Sequence, residues 1–342
     1  MSDKHLYASV TGTSGIQSVN ISQSHDAAVA TASLNAISTS LDVGDSITID
    51  LGYSTSHGQV FVGYVKKVEK VTPDGIYNIV ANDVLVRAVD YFIASTDPTT
   101  PLTYNNITAE NLIRSVLEEA GLSSFDFGTT YFTFGINNPV EVNLVSSYDY
   151  ARMISDIVAW SFWAEPSGTI KFKNRKPYPM QGQLDGEDSQ PGYVYDSSFK
   201  TITDPTVFDV DYGWNETDLR NRIVIYGNSD LSAEAKRTTS YDPATDSYRQ
   251  ILPSGFYKTS VLASPLIESG SFAQNAADYN LVMLNKLTYE VPITVEGDHI
   301  LTARKVITVT STTASVSGDW YIYQLEHQWG KGGYLTNMIL RI

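Results

Sequence analysis

Ser46-Ile-Thr-Ile-Asp50 and Val60-Phe-Val-Gly-Tyr-Val65 are two short stretches, rich in β-branched and aromatic residues, in the first quarter of the chain. The first alternates polar and apolar residues, which is typical of a β-strand with one buried face. Two similar stretches recur near the other end of the chain: Lys305-Val-Ile-Thr-Val-Thr310 and Trp320-Tyr-Ile-Tyr-Gln-Leu325. The spacing between the two stretches is the same at both ends. This recurrence indicates an internal repeat of β-strands.

Each copy of the repeat continues through a glycine turn into a third strand, Gly75-Ile-Tyr-Asn-Ile79 in the first and Gly333-Tyr-Leu-Thr-Asn337 in the second. In the first copy, Pro73-Asp-Gly75 is a hairpin signal. Strands so close together, joined by tight turns, predict a small antiparallel barrel or sandwich in the first hundred residues. The repeat therefore predicts two similar β-domains that bracket an α/β middle.

Between the two copies, the apolar period changes to that of α-helices. A first helix is predicted to end at Gly121, which follows this apolar stripe: Leu112, Ile113, Val116, Leu117 and Ala120. A second helix is predicted from about Ser147, after the capping box Ser146-x-x-Asp149, with this stripe: Tyr150, Met153, Ile154, Ile157 and Val158. A third is predicted over about 271–287, with Ser271 as its N-cap. We interpret the stripes of the first two helices as core packing.

Composition narrows the possible functions. The chain has 342 residues and no cysteine, which excludes disulfide scaffolds, thiolate metal sites and cysteine nucleophiles. Lys and Arg number 23 and Asp and Glu 38, so the formal net charge is −15. This charge argues against a tightly held nucleic acid, because phosphate binding requires clustered cations. The sequence contains no secretory signal and no apolar run long enough for a membrane span, so we expect a soluble protein without membrane insertion.

No catalytic motif is present. The phosphate-binding and nucleophile-elbow patterns do not occur, and the five histidines are scattered. Ser24-His25-Asp26 is contiguous, unlike a catalytic triad, and is interpreted as an ordinary turn. Three carboxylate pairs are interpreted as solvated surface rather than glycosidase residues: Asp209/Asp211, Glu118/Glu119 and Asp83/Asp90. The acidic loop around Gly186, with Asp185, Glu187 and Asp188, is considered as a loose calcium loop, but it lacks the residue spacing of an EF-hand. We therefore predict a protein that is not an enzyme, with no catalytic, cofactor-binding or metal-binding residues and no cofactor.

The order of elements resembles the phage tail hub family, the baseplate hub proteins of the late-control D type. The segments that carry the resemblance are Val43-Gly-Asp45, the hairpin from Val60 to Val65, the helix end Leu117-Glu-Glu-Ala-Gly121, the helix start Tyr148-Asp-Tyr150, and the terminal segment with Glu326-His327 and Gly333-Tyr-Leu-Thr336. The resemblance covers most of the chain. Residues 176–206 and 236–270 have no counterpart in it.

The resemblance implies a predominantly β, α+β fold with two tail-tube-like antiparallel β-barrels and intervening α/β domains. The expected domains are a first barrel over 1–100, an α/β domain over 101–204, a second, discontinuous barrel over 205–235 and 295–342, and an inserted accessory domain with one helix over 236–294. The resemblance also implies a homotrimer in which two barrels per chain give a pseudo-six-fold ring. Such a ring joins a tail tube to a central spike or tail tip and lets DNA pass.

The implied partners are other copies of the chain, a tail tube or distal tail protein, and a spike or tail-tip protein. The tape-measure protein and baseplate wedge proteins are further candidates, with DNA only in transit. The implied location is the virion tail, assembled in the host cytoplasm. Under this hypothesis the acidity acquires a meaning, because acidic side chains facing the lumen would repel phosphate. The alternative function is a β-rich carbohydrate-binding or adhesin protein of a tail tip or cell surface.

Overall fold

The computed structural model describes residues 5–71, 73–95, 100–130, 132–173, 198–203, 207–210, 213–245, 247–312 and 316–342. The first strands are β1 (Leu6–Val10), β2 (Thr13–Ser24), β3 (Thr31–Thr39), β4 (Ser46–Tyr53), β5 (Ser56–Val71) and β6 (Ile76–Asp83). The middle of the chain contains α1 (Val86–Asp90), β7 (Phe92–Ile93), β8 (Leu102–Tyr104), β9 (Ile107–Thr108), α2 (Ala109–Glu119), β10 (Phe125–Phe127), β11 (Thr133–Phe134), β12 (Val140–Val142), β13 (Val145–Ser146), α3 (Ser147–Val158), β14 (Ser161–Ala164) and β15 (Ile170–Lys173).

The remaining elements are β16 (Thr201–Thr203), β17 (Val207–Val210), β18 (Gly213–Asn215), β19 (Arg222–Tyr226), β20 (Ser232–Lys236), β21 (Ser240–Asp242), β22 (Ser247–Arg249), β23 (Thr259–Ala263), α4 (Gly270–Leu284), β24 (Thr288–Glu296), β25 (Val306–Ser311), β26 (Val316–Gly330) and β27 (Gly333–Arg341). Most of the predicted loop 176–206 and the acidic loop at 185–188 lie outside the described residues.

One 13-stranded sheet dominates the fold. Its main path runs β1-β4-β5-β6-β3-β2-β26-β27-β24-β17, and β25, β16 and β18 pair at its sides. Its neighbouring strands are antiparallel except β16 and β25, which run parallel. The predicted class, predominantly β with antiparallel sheets and a helical middle, is therefore confirmed. Closure of the sheet into two barrels stays a prediction.

Two hydrophobic cores lie against this sheet. The first contains only side chains of β1 to β6 and their neighbours, such as Ile21, Ile49 and Ile79, together with Tyr334 from the far end of the chain. The second contains side chains of the last strands, such as Val291 and Leu340. Strands that alternate polar and apolar residues bury one face, so each end of the chain is expected to form such a core.

Each copy of the predicted repeat contains three strands that pair in succession. β4, β5 and β6 pair in succession, and so do β25, β26 and β27. The residue alignment is not kept, however. The repeat aligns Ile47 with Ile307 and therefore Gly63 with Tyr323. In the sheet, Ile47 lies opposite Gly63, but Ile307 lies opposite Trp320 and not Tyr323. A β-bulge after Ile49 shifts the register between β4 and β5, whereas β25 and β26 pair without a register shift.

Two of the predicted helices have the expected ends. α2 ends just before Gly121, whose φ of +75° is the left-handed conformation that glycine adopts most readily. At α3, the Ser146 hydroxyl accepts a 3.0 Å hydrogen bond from the Asp149 amide, which confirms the predicted cap. One residue of the predicted α3 stripe was wrong, because Met153 is exposed.

The predicted N-cap of α4 was also wrong. Ser269, rather than Ser271, accepts the capping hydrogen bond from the Phe272 amide at 3.2 Å. The extended conformation of Ser269 places its hydroxyl over the first turn. Ser271 already lies inside the helix, so its hydroxyl is not the N-cap.

The sequence reasoning did not predict β24, which contains Pro292. A proline lacks the amide N–H that a central strand uses on one side. β24 pairs with β27 over residues 290–296, but on the other side β17 and β18 pair with its two ends. Among the described residues, none pairs with Val291 or Pro292 on that side. β24 therefore tolerates Pro292, because no neighbouring strand in the described part of the chain needs a hydrogen bond from this position on that side.

The segment around α4 packs with the middle of the chain. β19 pairs with β20 and β23 in a separate three-stranded sheet, and α4 covers it. Ile223 and Ile225 of β19, together with Tyr279 of α4, share one core with the side chains of α2 and α3. The sequence placed β19 and most of β20 in the second barrel and α4 in an accessory domain. We refer to residues 84–173 and 219–284, whose helices α2, α3 and α4 share this core with β19, as the α/β unit.

Glu268 ties the two parts of the α/β unit together. Its carboxylate accepts hydrogen bonds from the amides of Ile136, Asn137 and Asn138 at 2.9–3.1 Å, and from the Asn138 side chain at 3.0 Å. Burial by itself would raise the pKa of Glu268, but these hydrogen bonds outweigh it and lower the pKa. The carboxylate therefore binds as a charged group to three successive donors.

Candidate functional site

The two ends of the chain meet along one pair of strands, β2 and β26. Seven residue pairs are in register, joining 18–24 on β2 with 324–330 on β26. We call this pairing the seam. It makes the β-strands of the two ends into one uninterrupted sheet, so a face on one half continues onto the other.

Outward-pointing residues form a continuous face on both sides of the seam, which we call the polar sheet face. Its residues are Asn78, Val80 and Asn82 on β6, Thr31, Ser33 and Asn35 on β3, Ser18, Asn20 and Ser22 on β2, Gln324, Glu326 and Gln328 on β26, and Leu335, Asn337 and Ile339 on β27. Each is half-buried or exposed, whereas the residues between them on each strand are buried. Amides and hydroxyls predominate on this face.

Glu326 is the single charged residue of the polar sheet face. Its carboxylate accepts hydrogen bonds from the side-chain amides of Asn20 at 2.6 Å and Gln328 at 3.0 Å, with Asn337 at 3.5 Å. Nearby polar groups also bond to each other, as Asn35 does to Ser18 at 3.1 Å. Six polar side chains of the face are thus bonded to one another: Ser18, Asn20, Asn35, Glu326, Gln328 and Asn337.

Two depressions open on the polar sheet face. One, of about 540 Å³, is lined by residues of β2, β3, β6 and the turn before β27. The other, of about 400 Å³, is lined by residues of β24, β26 and β27. Both are broad and shallow, so the face is suited to contact with an extended surface rather than to enclosing a small ligand.

Ion pairs lie at both borders of the polar sheet face. On β5, Lys67 contacts Glu69 at 2.6 Å. On β27, the Arg341 guanidinium contacts Glu290 at 2.5 Å and lies 3.5 Å from the centre of the Tyr323 ring. Each of these cations has a carboxylate beside it, so neither border contributes a net positive charge.

Behind the seam, His327 is fully buried. Its Nε2 donates to the Leu301 carbonyl oxygen at 3.1 Å, which leaves Nδ1 to accept a 2.9 Å hydrogen bond from the Tyr334 hydroxyl. The Thr336 hydroxyl lies 3.2 Å from the same Nδ1. Burial lowers the pKa of His327 to about 4, so the ring is neutral at physiological pH. The terminal residues that carry the family resemblance therefore form a structural hydrogen-bond network.

Arg304 connects the sheet to the α/β unit. Its guanidinium donates to the carbonyl oxygen of Phe162 in β14 at 2.9 Å and to those of Ser24 and His25, after β2, at 3.3 and 2.6 Å. Its own amide donates to the Ile322 carbonyl oxygen at 2.7 Å. The residue is buried, and φ is +68°. One side chain thus bonds both ends of the chain to its middle, at a place we call the junction.

Asp83 lies beside the junction. Its two carboxylate oxygens accept hydrogen bonds from the Ala30 and Leu85 amides at 2.7 and 2.9 Å. Burial raises the pKa of Asp83 to about 7, and the two amides and Arg304 oppose a further rise. Asp83 and Asp90, a pair considered in the sequence, are not brought together, because Asp90 pairs with Lys66 at the surface.

The other sequence candidates also serve local structure. His25 bonds to the Tyr321 hydroxyl, whereas Asp26 bonds to that of Tyr323, so Ser24-His25-Asp26 forms no triad. Glu118 and Glu119 are exposed at the end of α2, and the side chains of the pair at 209 and 211 lie outside the described residues. Among the described residues, no three His, Asp or Glu side chains gather to hold a metal ion. In that same part of the chain, no helix is long and apolar enough to cross a membrane.

Solved structures with this arrangement of strands and helices come from tail proteins. The chain superposes on a tail protein from Neisseria meningitidis with a TM-score of 0.66 at 10% identity, covering 99% of this chain and 97% of that one. The 43 kDa tail protein of prophage MuSo2 from Shewanella oneidensis gives 0.66 at 12% identity, covering 99% and 98%. This chain has the tail-protein fold. The predicted resemblance to tail hubs is thereby confirmed for the fold.

A third structure extends the comparison beyond phages. The Escherichia coli c3393 protein, a component of the type VI secretion system that is similar to the T4 tail proteins gp27 and gp5, superposes with a TM-score of 0.54 at 9% identity. The alignment covers 98% of this chain and 76% of that protein. No protein-family model and no curated protein sequence matches the chain. At such low identity the likeness concerns the fold.

Proposed function

We propose that the protein is a structural tail or baseplate hub of a phage, which forms a homotrimeric, pseudo-six-fold ring between the tail tube and a central spike or tail tip. The observation that carries the proposal is the seam, which joins two sets of strands into one sheet within a single chain. The tail-protein fold over nearly the full length supports it. The protein would act in the virion tail after assembly in the host cytoplasm.

The sheet supplies matched halves for such a ring. One half of its path contains β5, β6, β3 and β2 in neighbouring order, and the other contains β26, β27, β24 and β17. Three chains would place six four-stranded halves around one axis, with the polar sheet face toward the lumen. A ring of six halves with three-fold symmetry fits a six-fold tube on one side and a three-fold spike on the other.

The α/β unit would then lie outside the ring. Arg304 bonds it to the sheet at the end of β2, away from the centre of the polar sheet face. From this position it could contact baseplate wedge proteins, while tube, spike and tape-measure proteins would meet the ring along its axis.

Mass measurement and thiol labelling test the proposal together. Native mass spectrometry should give a trimer. Since the chain has no cysteine, a single thiol can be introduced by Ser33→Cys on the polar sheet face or by Asn275→Cys on α4. In the trimer, a small maleimide should label both thiols, whereas a bulky polyethylene-glycol maleimide should label only the one on α4. A strict monomer, or equal labelling by the bulky reagent, would contradict the ring.

A carbohydrate-binding protein is the second candidate, favoured by one observation. Trp214 is 65% exposed, and its ring stacks on Tyr289 at 6.2 Å between centroids. Exposed aromatic rings provide flat apolar surface with a polar edge, which suits stacking on a sugar. A glycan array with the intact protein and with Trp214→Ala decides this. Binding that the substitution removes supports an adhesin, and an array without hits excludes the glycans tested.

A further inference from the structure

Few residues of the polar sheet face are charged, which points to a way of letting DNA pass other than repulsion. Of its 15 residues, Glu326 alone is charged, although the chain as a whole carries −15. Designed soluble proteins aim for about 25–35% charged residues on their surface. The acidic lumen expected from composition is therefore not present on this face. The excess negative charge lies elsewhere on the chain.

From this face we infer that, in the proposed ring, DNA passes because the surface offers phosphate no free cation, rather than because acidic residues repel it. The inference rests on the proposed function, which makes the polar sheet face the lining of the lumen. The molecule that passes along the face would be a duplex polyanion.

The cations at the borders of the face support this inference. Lys67 is neutralised locally by Glu69, and Arg341 is held between Glu290 and the Tyr323 ring. Lys331, at the tip of the turn between β26 and β27, lies beyond the end of the face. DNA binding gains most of its free energy from counterions that Lys and Arg displace from phosphates. A surface without free cations gives no such gain.

Some of the hydrogen-bond donors of the face are occupied as well. Amide and hydroxyl groups also bind phosphate oxygens when they are free. Here the Asn20 and Gln328 amides bind Glu326, and the Asn35 amide binds Ser18. Glu326 thus acts chiefly as an acceptor that occupies neighbouring donors, and its charge is compensated by them.

Charge substitutions on the face distinguish a surface that does not attract DNA from a surface that repels it. The triple variant Ser22→Lys, Thr31→Lys and Asn35→Lys adds three cations at exposed positions of the face. The control variant Asn111→Lys, Ser123→Lys and Asn275→Lys adds three at exposed positions of the α/β unit. A third variant, Glu326→Gln, removes the central carboxylate. Binding of a fluorescent 20-base-pair duplex is measured by polarisation at 50 and 200 mM salt, on protein whose trimeric mass has been verified.

The face variant should bind the duplex, with an affinity that falls about 40-fold between the two salt concentrations if three phosphates are contacted. The wild-type protein, the control variant and Glu326→Gln should not bind measurably. Binding by Glu326→Gln would show that repulsion keeps DNA off and would overturn the inference, as would binding by the wild type or equal binding by the control. A chain that stays monomeric overturns the proposed function and this inference together, whereas a contrary DNA result in an intact trimer overturns the inference alone.

Discussion

The Arg304 guanidinium donates a 2.6 Å hydrogen bond to the main-chain carbonyl of His25, although 279 positions separate the two residues in sequence. The same guanidinium bonds to Phe162 in β14. A buried arginine satisfies several carbonyl oxygens at once because its five N–H donors have a fixed, planar arrangement. The Arg304 side chain therefore bonds the sheet directly to the α/β unit.

Replacing Arg304 by methionine should destabilise the protein by about 3–5 kcal/mol, because three carbonyl oxygens lose their donor and buried Asp83 loses a nearby positive charge. Chemical denaturation followed by circular dichroism measures the loss. Arg304→Lys is the matched control. It keeps the charge but lacks the planar fork, so we expect an intermediate loss. A methionine variant as stable as the wild type would show that the junction is not needed.

His327 should make the protein less stable in mild acid. Its folded-state pKa, about 4, lies below the ordinary value of 6.5, so the unfolded chain binds the proton more readily. The stabilisation is complete above about pH 6.5 and falls by about 1.4 kcal/mol per unit as the pH drops toward 4. The difference in unfolding free energy between wild type and His327→Gln should shrink over this range. A difference that does not change with pH would contradict the account.

The N-cap of α4 can be tested with two neighbouring serines. Ser269→Ala should cost about 1 kcal/mol, because the amide of Phe272 loses its acceptor. Ser271→Ala should have little effect, since this residue is exposed within the first turn. Thermal unfolding of the two variants provides the measurement. Equal losses would mean that the serine pair acts as a unit.

Removing the Glu268 carboxylate should loosen the loop that it binds. In Glu268→Ala, the amides of 136–138 lose their acceptor. Hydrogen–deuterium exchange should speed up at these amides, while the amides of α2 keep their protection. Glu119→Ala, at an exposed position on α2, serves as control. Unchanged exchange at 136–138 in the Glu268 variant would contradict the contact.

The sequence predicted elements whose pattern is local and missed relationships that depend on distant residues. The alternation around Ile47 and the stripe around Leu112 were sufficient for β4 and α2. The five-residue α1 is too short for a helical period, and Pro292 obscured the pattern of β24. The seam pairs residues about 300 positions apart, and no local pattern contains that information. The polar sheet face was therefore not predicted, although alternating Ser18, Asn20 and Ser22 already contain part of it.

The most direct measurement of the central claim is electron microscopy of the purified protein, with particles classified without imposed symmetry. The account predicts a ring of three chains with six similar β-lobes around an open channel, the polar sheet face lining that channel and the α/β units on the outside. Particles of a single chain at all concentrations, or a ring whose channel is lined by the α/β units, would contradict it.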